Sequence, residues 1–276
     1  MTYIQAIILG IFQGIAEFLP ISSSGHLVLL QNFFDIKEGN LFFTEMLHVG
    51  TLISIFVVYF KDITKLVVEF FAMIAELFRT RKLNFNNEHR ILGLMIIIGS
   101  IPTGLIGILL KDTFEGFYSS MMVIGVSFLI TGLLLWISEK TSSGRKDISS
   151  MRTVDAVTIG IFQGLAITPG ISRSGSTIVG ALFRGLNKES ATKYSFLLSV
   201  PAVLGAGLLE LKDIFISSSS NVAFTGPILL GMALSAVTGI IAIKFLVKLL
   251  QKGKLHYFSY YVWILGTFVI VKELFF

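Results

Sequence analysis

Residues 91–110 (ILGLMIIIGSIPTGLIGILL) form a stretch of about 20 residues with no charged side chain. A bilayer's hydrocarbon core, about 30 Å thick, is crossed by a helix of about 20 apolar residues. Residues 117–137 repeat the pattern, and 41–60, 222–243, 257–275 and, with Lys193 near its start, 190–211 are further candidates. Six membrane-spanning helices are therefore predicted. The composition agrees, because the chain is 54% hydrophobic and only 14% charged, against about 25% charged in soluble domains. An all-α polytopic membrane protein is expected.

Two further apolar segments, 2–34 and 154–184, are interrupted midway by EFLPISSSGH and ITPGISRSG. Each arm is too short to cross alone. Proline and glycine stop the helix and release backbone groups, which at membrane depth must lie inside protein or line a wet cavity. Both segments read as re-entrant helical hairpins. Residues 61–82 carry charges at both ends and within, which suits an interfacial amphipathic helix.

Several function classes fall away early. There is no cysteine, so disulfides, thiolate metal sites and thiol nucleophiles are excluded. The histidines His26, His48, His89 and His256 are far apart and show no metal-binding spacing. The N-terminus has no basic n-region or small-residue cleavage site, so it is expected to remain in the mature protein.

The two hairpins are related. Under a shift of 150, residues 10–26 (GIFQGIAEFLPISSSGH) overlie 160–176 (GIFQGLAITPGISRSGS) with 10 of 17 positions identical. The chain thus reads as one membrane domain, 1–276, with a first repeat 1–138, a cytoplasmic linker 139–153 and a second repeat 154–276. One hairpin and three spans per repeat make the second repeat inverted. Threading the chain this way places 17 of the 22 Lys and Arg residues on the side carrying the linker. Lys37, Lys111, Lys212 and Lys272 fall on the other side, and Arg173 at a hairpin tip. The positive-inside rule makes the linker side cytoplasmic and leaves both termini outside. Basic residues that trace loop ends rather than one patch also remove nucleic acid as a partner, despite a net charge of +5.

Inverted repeats with broken helices place a binding site where the breaks meet near the midplane. An arginine there costs at least ~2.5–3.5 kcal/mol on insertion scales, so Arg173 needs an anion opposite, either Glu17 or a ligand. Ser172, Ser174, Ser176 and Thr177 surround it where a helix restarts, and helix N-termini with hydroxyl donors bind phosphate. Gln13 and Glu17 share one helix face. The turn PISSSGH adds Ser22, Ser23 and His26; a serine beside a base becomes a nucleophile, and His26 is a candidate base. For His48, beside Glu45, packing or hydrogen bonding is the favoured role. Under the shift Glu17 becomes Ile167, Ser23 becomes Arg173 and His26 becomes Ser176. One hairpin holds acid–base groups and the other the cation, a division suited to an enzyme acting on an anion.

QGIAE (13–17), the following FLPISSSGH and PGISRSGST (169–177) resemble the undecaprenyl-pyrophosphate phosphatase family, known also for bacitracin resistance, over essentially the whole chain. The resemblance implies hydrolysis of a C55 isoprenoid pyrophosphate at the outer side of a bacterial plasma membrane, recycling the lipid carrier of cell-wall synthesis. It carries Glu17, Ser23, His26 and Arg173 as catalytic residues. Gln13, Ser22, Ser172, Ser174 and Thr177 are expected to bind substrate. Mg²⁺ or Ca²⁺ is the implied cofactor, with Glu17 a candidate ligand; Gln13 stands where many members have glutamate, so a two-carboxylate site does not carry over. Membrane lipids are partners, and a homodimer is left open. The competing reading is a lipid-phosphate flippase or anion transporter of the same architecture.

Overall fold

The computed structural model describes residues 1–36, 41–82, 84–85, 87–140, 144–216 and 225–275, the side chains of 41, 140 and 209–216 excepted. Lys37 and Lys212, used above to orient the chain, and linker residues 141–143 lie outside what is described at side-chain level.

The chain is all-α. The first hairpin is α1 (Tyr3–Phe18) and α2 (Ser23–Phe33), followed by α3 (Leu41–Val58), α4 (Phe60–Thr80), α5 (Glu88–Leu109), α6 (Lys111–Tyr118) and α7 (Met121–Lys140). The second hairpin is α8 (Thr153–Leu165) and α9 (Arg173–Phe183), followed by α10 (Lys188–Ile216), α11 (Gly226–Gln251) and α12 (His256–Phe275). Helices α5, α7, α10, α11 and α12 are long and apolar enough to cross a membrane, and α3 makes a sixth span when taken with α4, to which it is bent by 83°. The bend falls at Tyr59, and α4 runs aside as the amphipathic helix expected of 61–82. Arg90 at the start of α5 pins it through Glu69 and Glu76, 2.7 and 2.6 Å away.

Two boundaries differ from the sequence reading. Residues 111–118 form the separate helix α6, so the span expected at 117–137 begins only at Met121. The span expected at 222–243 runs instead from Gly226 to Gln251, because Lys244 and Lys248 sit on its exposed side and do not interrupt its buried one.

Lipid replaces water as the outer solvent. Ile97, Ile101, Leu105 and Ile108 make an exposed apolar stripe on α5 at helical spacing. Inside, without a hydrophobic drive between helices, close approach of small residues does the packing. Gly10 of α1 meets the backbone of Gly231, and Gly14 meets Ser235 and Gly239, all on α11. In the other half Gly160 of α8 meets Gly99, and Gly164 meets Ile106, on α5. The first arm of each hairpin therefore lies against a helix of the opposite half. The hydroxyls repeat the exchange: Thr238 donates to the carbonyl of Ile11 at 3.4 Å, and Thr103 to that of Gly160 at 2.9 Å.

These contacts also fix helix directions. Numbering rises together along α1 and α11, and along α8 and α5. Helix α3 runs with α11, through Leu47–Ser235 and Ser54–Ala236, and α10 runs with α5, through Tyr194–Met95 and Leu198–Gly99. Helices α3 and α10 oppose each other, since Tyr59 meets Phe196 while Glu45 meets Gly207. Arms α1 and α8 consequently run in opposite directions, and their far ends meet.

Candidate functional site

The site is built where the two interrupted segments touch. A methyl group placed on Gly25 would stand 3.0 Å from the Cα of Gly170, and one on Gly175 would stand 3.1 Å from Pro20. Gly25 and Gly175 correspond under the shift of 150, and so do Pro20 and Gly170. The contact is thus reciprocal, as a two-fold relation between the hairpins requires. Each restarting helix is capped alike: Ser22 Oγ accepts from Gly25 N at 3.4 Å, and Ser172 Oγ from Gly175 N at 3.1 Å. Serine is a favoured N-cap because its oxygen satisfies amides that the first turn leaves free.

The turns are not identical. Gly170 adopts φ +91°, which glycine takes without penalty, whereas Ser22 is held at φ +69°. A non-glycine in that region stores of order 1–3 kcal/mol and persists only where surroundings over-determine it. Partners from the spans supply that restraint. Thr131 of α7 accepts from the Ser172 amide at 3.0 Å and donates to the Gly170 carbonyl at 2.9 Å. Tyr261 of α12 holds the first turn through His26, 2.7 Å from its hydroxyl.

Glu17 is the centre. Its side chain is buried and forms an ion pair with Arg173 across the two hairpins. Its other oxygen accepts from Ser23 Oγ at 2.5 Å and Gln13 Nε2 at 3.0 Å, with His48 Nε2 3.9 Å away. Arg173, the first residue of α9, spends one terminal nitrogen on Glu17. The other, Nη1, is buried and has no hydrogen-bond partner among the described residues, and the same holds for Oε1 of Gln13. A buried guanidinium nitrogen left unpaired is costly, and it is the donor a phosphate oxygen would satisfy.

The remaining expected residues are placed as follows. Ser174 Oγ donates to the Leu19 carbonyl at 3.2 Å, stitching one turn to the other. Ser172 is spent on its cap, and Ser22 on the equivalent one. Thr177 bonds back to its own helix and to Ser195 of α10 at 2.5 Å. His26 is the clearest departure, since its ring bonds neither Glu17 nor Ser23. Nδ1 lies 2.8 Å from the Ser22 carbonyl, an acceptor only, so Nδ1 carries the proton and Nε2 accepts from Tyr261. The ring also stacks on Tyr261 and meets Phe128 edge-on.

Residues missed in the sequence are Thr131, Ser195 and Tyr261, whereas His48, read there as a packing or hydrogen-bonding residue, lies beside Glu17. His48 had a local signal, its place beside Glu45; the other three reach the site from spans 18 or more residues distant along the chain. Among the described residues, no group of three or more His, Cys, Asp or Glu forms a metal cage.

The family model described as "Bacitracin resistance protein BacA" matches residues 6–268. The undecaprenyl-diphosphatase of Alkaliphilus metalliredigens (strain QYMF) is 51% identical over 275 residues, covering 99% of this chain and 100% of its own. That of Carboxydothermus hydrogenoformans is 45% identical, covering 99% and 98%. That of Halothermothrix orenii is 42% identical over 271 residues, covering 98% of each.

Proposed function

The chain belongs to the bacitracin resistance protein BacA family, and on that premise we propose that it hydrolyses undecaprenyl diphosphate to undecaprenyl phosphate and inorganic phosphate. Such an activity recycles the lipid carrier of cell-wall synthesis and underlies bacitracin resistance. The observation that carries the reading is the buried, unpartnered Nη1 of Arg173 beside the Glu17 ion pair.

In this proposal the isoprenoid tail lies among the spans and the diphosphate enters between the hairpin turns. Arg173 and the first amides of α9 hold the terminal phosphate and meet the charge that develops in transfer, usually the largest catalytic term. Ser23 attacks the terminal phosphorus. Its Oγ–P bond forms as the bond to the bridging oxygen breaks, its proton passes to Glu17, and the lipid monophosphate leaves. Water then cleaves the phosphoserine and releases inorganic phosphate. The 2.5 Å hydrogen bond from Ser23 to Glu17 favours serine over His26 as nucleophile, because the acceptor nitrogen of His26 is occupied by Tyr261. His26, with Ser22, Ser172 and Ser174, holds the turns; Gln13 and His48 orient Glu17.

Glu17 and the unpartnered Oε1 of Gln13 are hard oxygen donors of the kind Mg²⁺ or Ca²⁺ takes. These two residues would hold a cation arriving with the diphosphate. Bound there, it would neutralise phosphate charge.

The charge bias across the loops supports a plasma-membrane topology with linker 139–153 cytoplasmic and both termini outside. The first hairpin then dips in from outside and the second from the cytoplasm, within an inverted repeat. The opposed directions of α1 and α8 support that arrangement, and the diphosphate would enter from the outer face.

Purified chain in detergent, where no two sides exist, tests the reaction against lipid carriage. Phosphate release from undecaprenyl diphosphate, reduced by a chelator and restored by Mg²⁺, is the expected result. Binding without release would refute hydrolysis and favour a carrier.

A further inference from the structure

Away from the hairpin turns, the end of α3, the start of α10 and the end of α11 line an open-sided cavity of about 580 Å³. Part of its wall is apolar, from Val58, Ile243 and Val247, and four lysines, Lys188, Lys193, Lys244 and Lys248, line the rest. Lys193 is committed to Asp62 at 2.6 Å and Glu88 at 3.4 Å. The other three make no ion pair among the described residues, and once Asp62 is taken the lining holds one further carboxylate, Glu189. The cavity is therefore positive.

It is also separate from the hairpin site. Gly239 of α11 packs against Phe18 at the end of α1. Lys244 and Lys248 lie five and nine residues further on, about 7 and 13 Å along the helix axis. Lysines at helix ends commonly reach for headgroups. Here they border a pocket open to the outside, and Ile241 and Phe245, next to its lining residues on the same helix, are 62% and 50% exposed. Cations above and a lipid-facing apolar track below fit an anionic amphiphile. Basic pockets between membrane helices take phosphate headgroups in this way.

We infer that this cavity seats the headgroup of an anionic phospholipid, with an acyl chain lying along Ile241 and Phe245. It is a second lipid site, distinct from the one at Glu17 and Arg173.

Native mass spectrometry of the purified full chain, offered phosphatidylglycerol and phosphatidylcholine in equal amounts, tests it. The wild-type chain should retain phosphatidylglycerol selectively. Lys244→Ala with Lys248→Ala should lower its retention roughly 10- to 30-fold, while phosphate release from detergent-dispersed substrate stays within about two-fold of wild type. Lys188→Gln, on a different helix, should reduce retention in the same direction, which keeps the test valid should the double variant fold poorly. Lys252→Ala, at the same helix end but outside the cavity, should change nothing. Equal retention of both lipids, an equal loss in Lys252→Ala, or occupancy by inorganic phosphate with no lipid retained would each overturn the inference.

Discussion

Glu17 and Arg173, 156 positions apart in the chain, form an ion pair where the interrupted segments of the two halves meet. Neither hairpin could keep its charge alone once buried. Each turn therefore carries what the other lacks, and the folded site depends on both.

Breaking that pair should cost stability as well as activity. Removing one partner of a buried pair leaves an uncompensated charge, at ~3 kcal/mol or more. Glu17→Gln and Arg173→Gln should each lower the melting temperature in detergent, and the double variant should recover most of the loss while remaining inactive. A double variant as unstable as the sum of the singles would show the two are not coupled.

Ser23 and Tyr261 should separate chemistry from support. Ser23→Ala is expected to reduce phosphate release by ~10³-fold, whereas Tyr261→Phe, which loses only the hydroxyl on His26, should stay within about ten-fold of wild type. Radiolabelled phosphate retained on denatured wild-type protein and absent from Ser23→Ala would identify the phosphoserine. Full turnover by Ser23→Ala would instead point to His26.

His48 approaches Glu17 at 3.9 Å without a hydrogen bond to it. Its replacement in His48→Gln should lower kcat by about ten-fold and leave KM near wild type, read from initial rates. An unchanged kcat would assign the residue to packing alone.

The glycine contacts predict a contrast within one pair of helices. A methyl group on Gly160 would collide with the Gly99 carbonyl, but one on Gly104 meets nothing within 4 Å. Gly160→Ala should therefore destabilise by ~1–3 kcal/mol, and Gly104→Ala should be neutral or stabilising by up to ~1 kcal/mol. Melting curves that rank the two the other way would contradict the packing.

The hairpins were legible in the sequence because Pro20, Gly170 and runs of serine interrupt otherwise apolar segments, and nothing else explains polar turns there. Arg173 and Glu17 stood out for the same reason, as charges far from any loop. Helix α6 was not legible. Lys111, Asp112 and Glu115 look like a loop until Phe114 is seen buried. Nor was the end of α11, where Lys244 and Lys248 resemble a terminus but project outward from a helix that continues to Gln251. The tethers Thr131, Ser195 and Tyr261 are ordinary span residues whose meaning arises only from packing. The linker hid a similar detail: Lys146 and Arg184 both bond Asp155 at 2.8 Å, tying the linker to both ends of the second hairpin.

The central claim is that the free face of Arg173 receives the terminal phosphate opposite Glu17. Initial rates of phosphate release from undecaprenyl diphosphate by purified, monodisperse Arg173→Ala measure this most directly. The account predicts kcat/KM lower by ~10³-fold or more, with the protein still folded by size exclusion. Turnover within about ten-fold of wild type would contradict it.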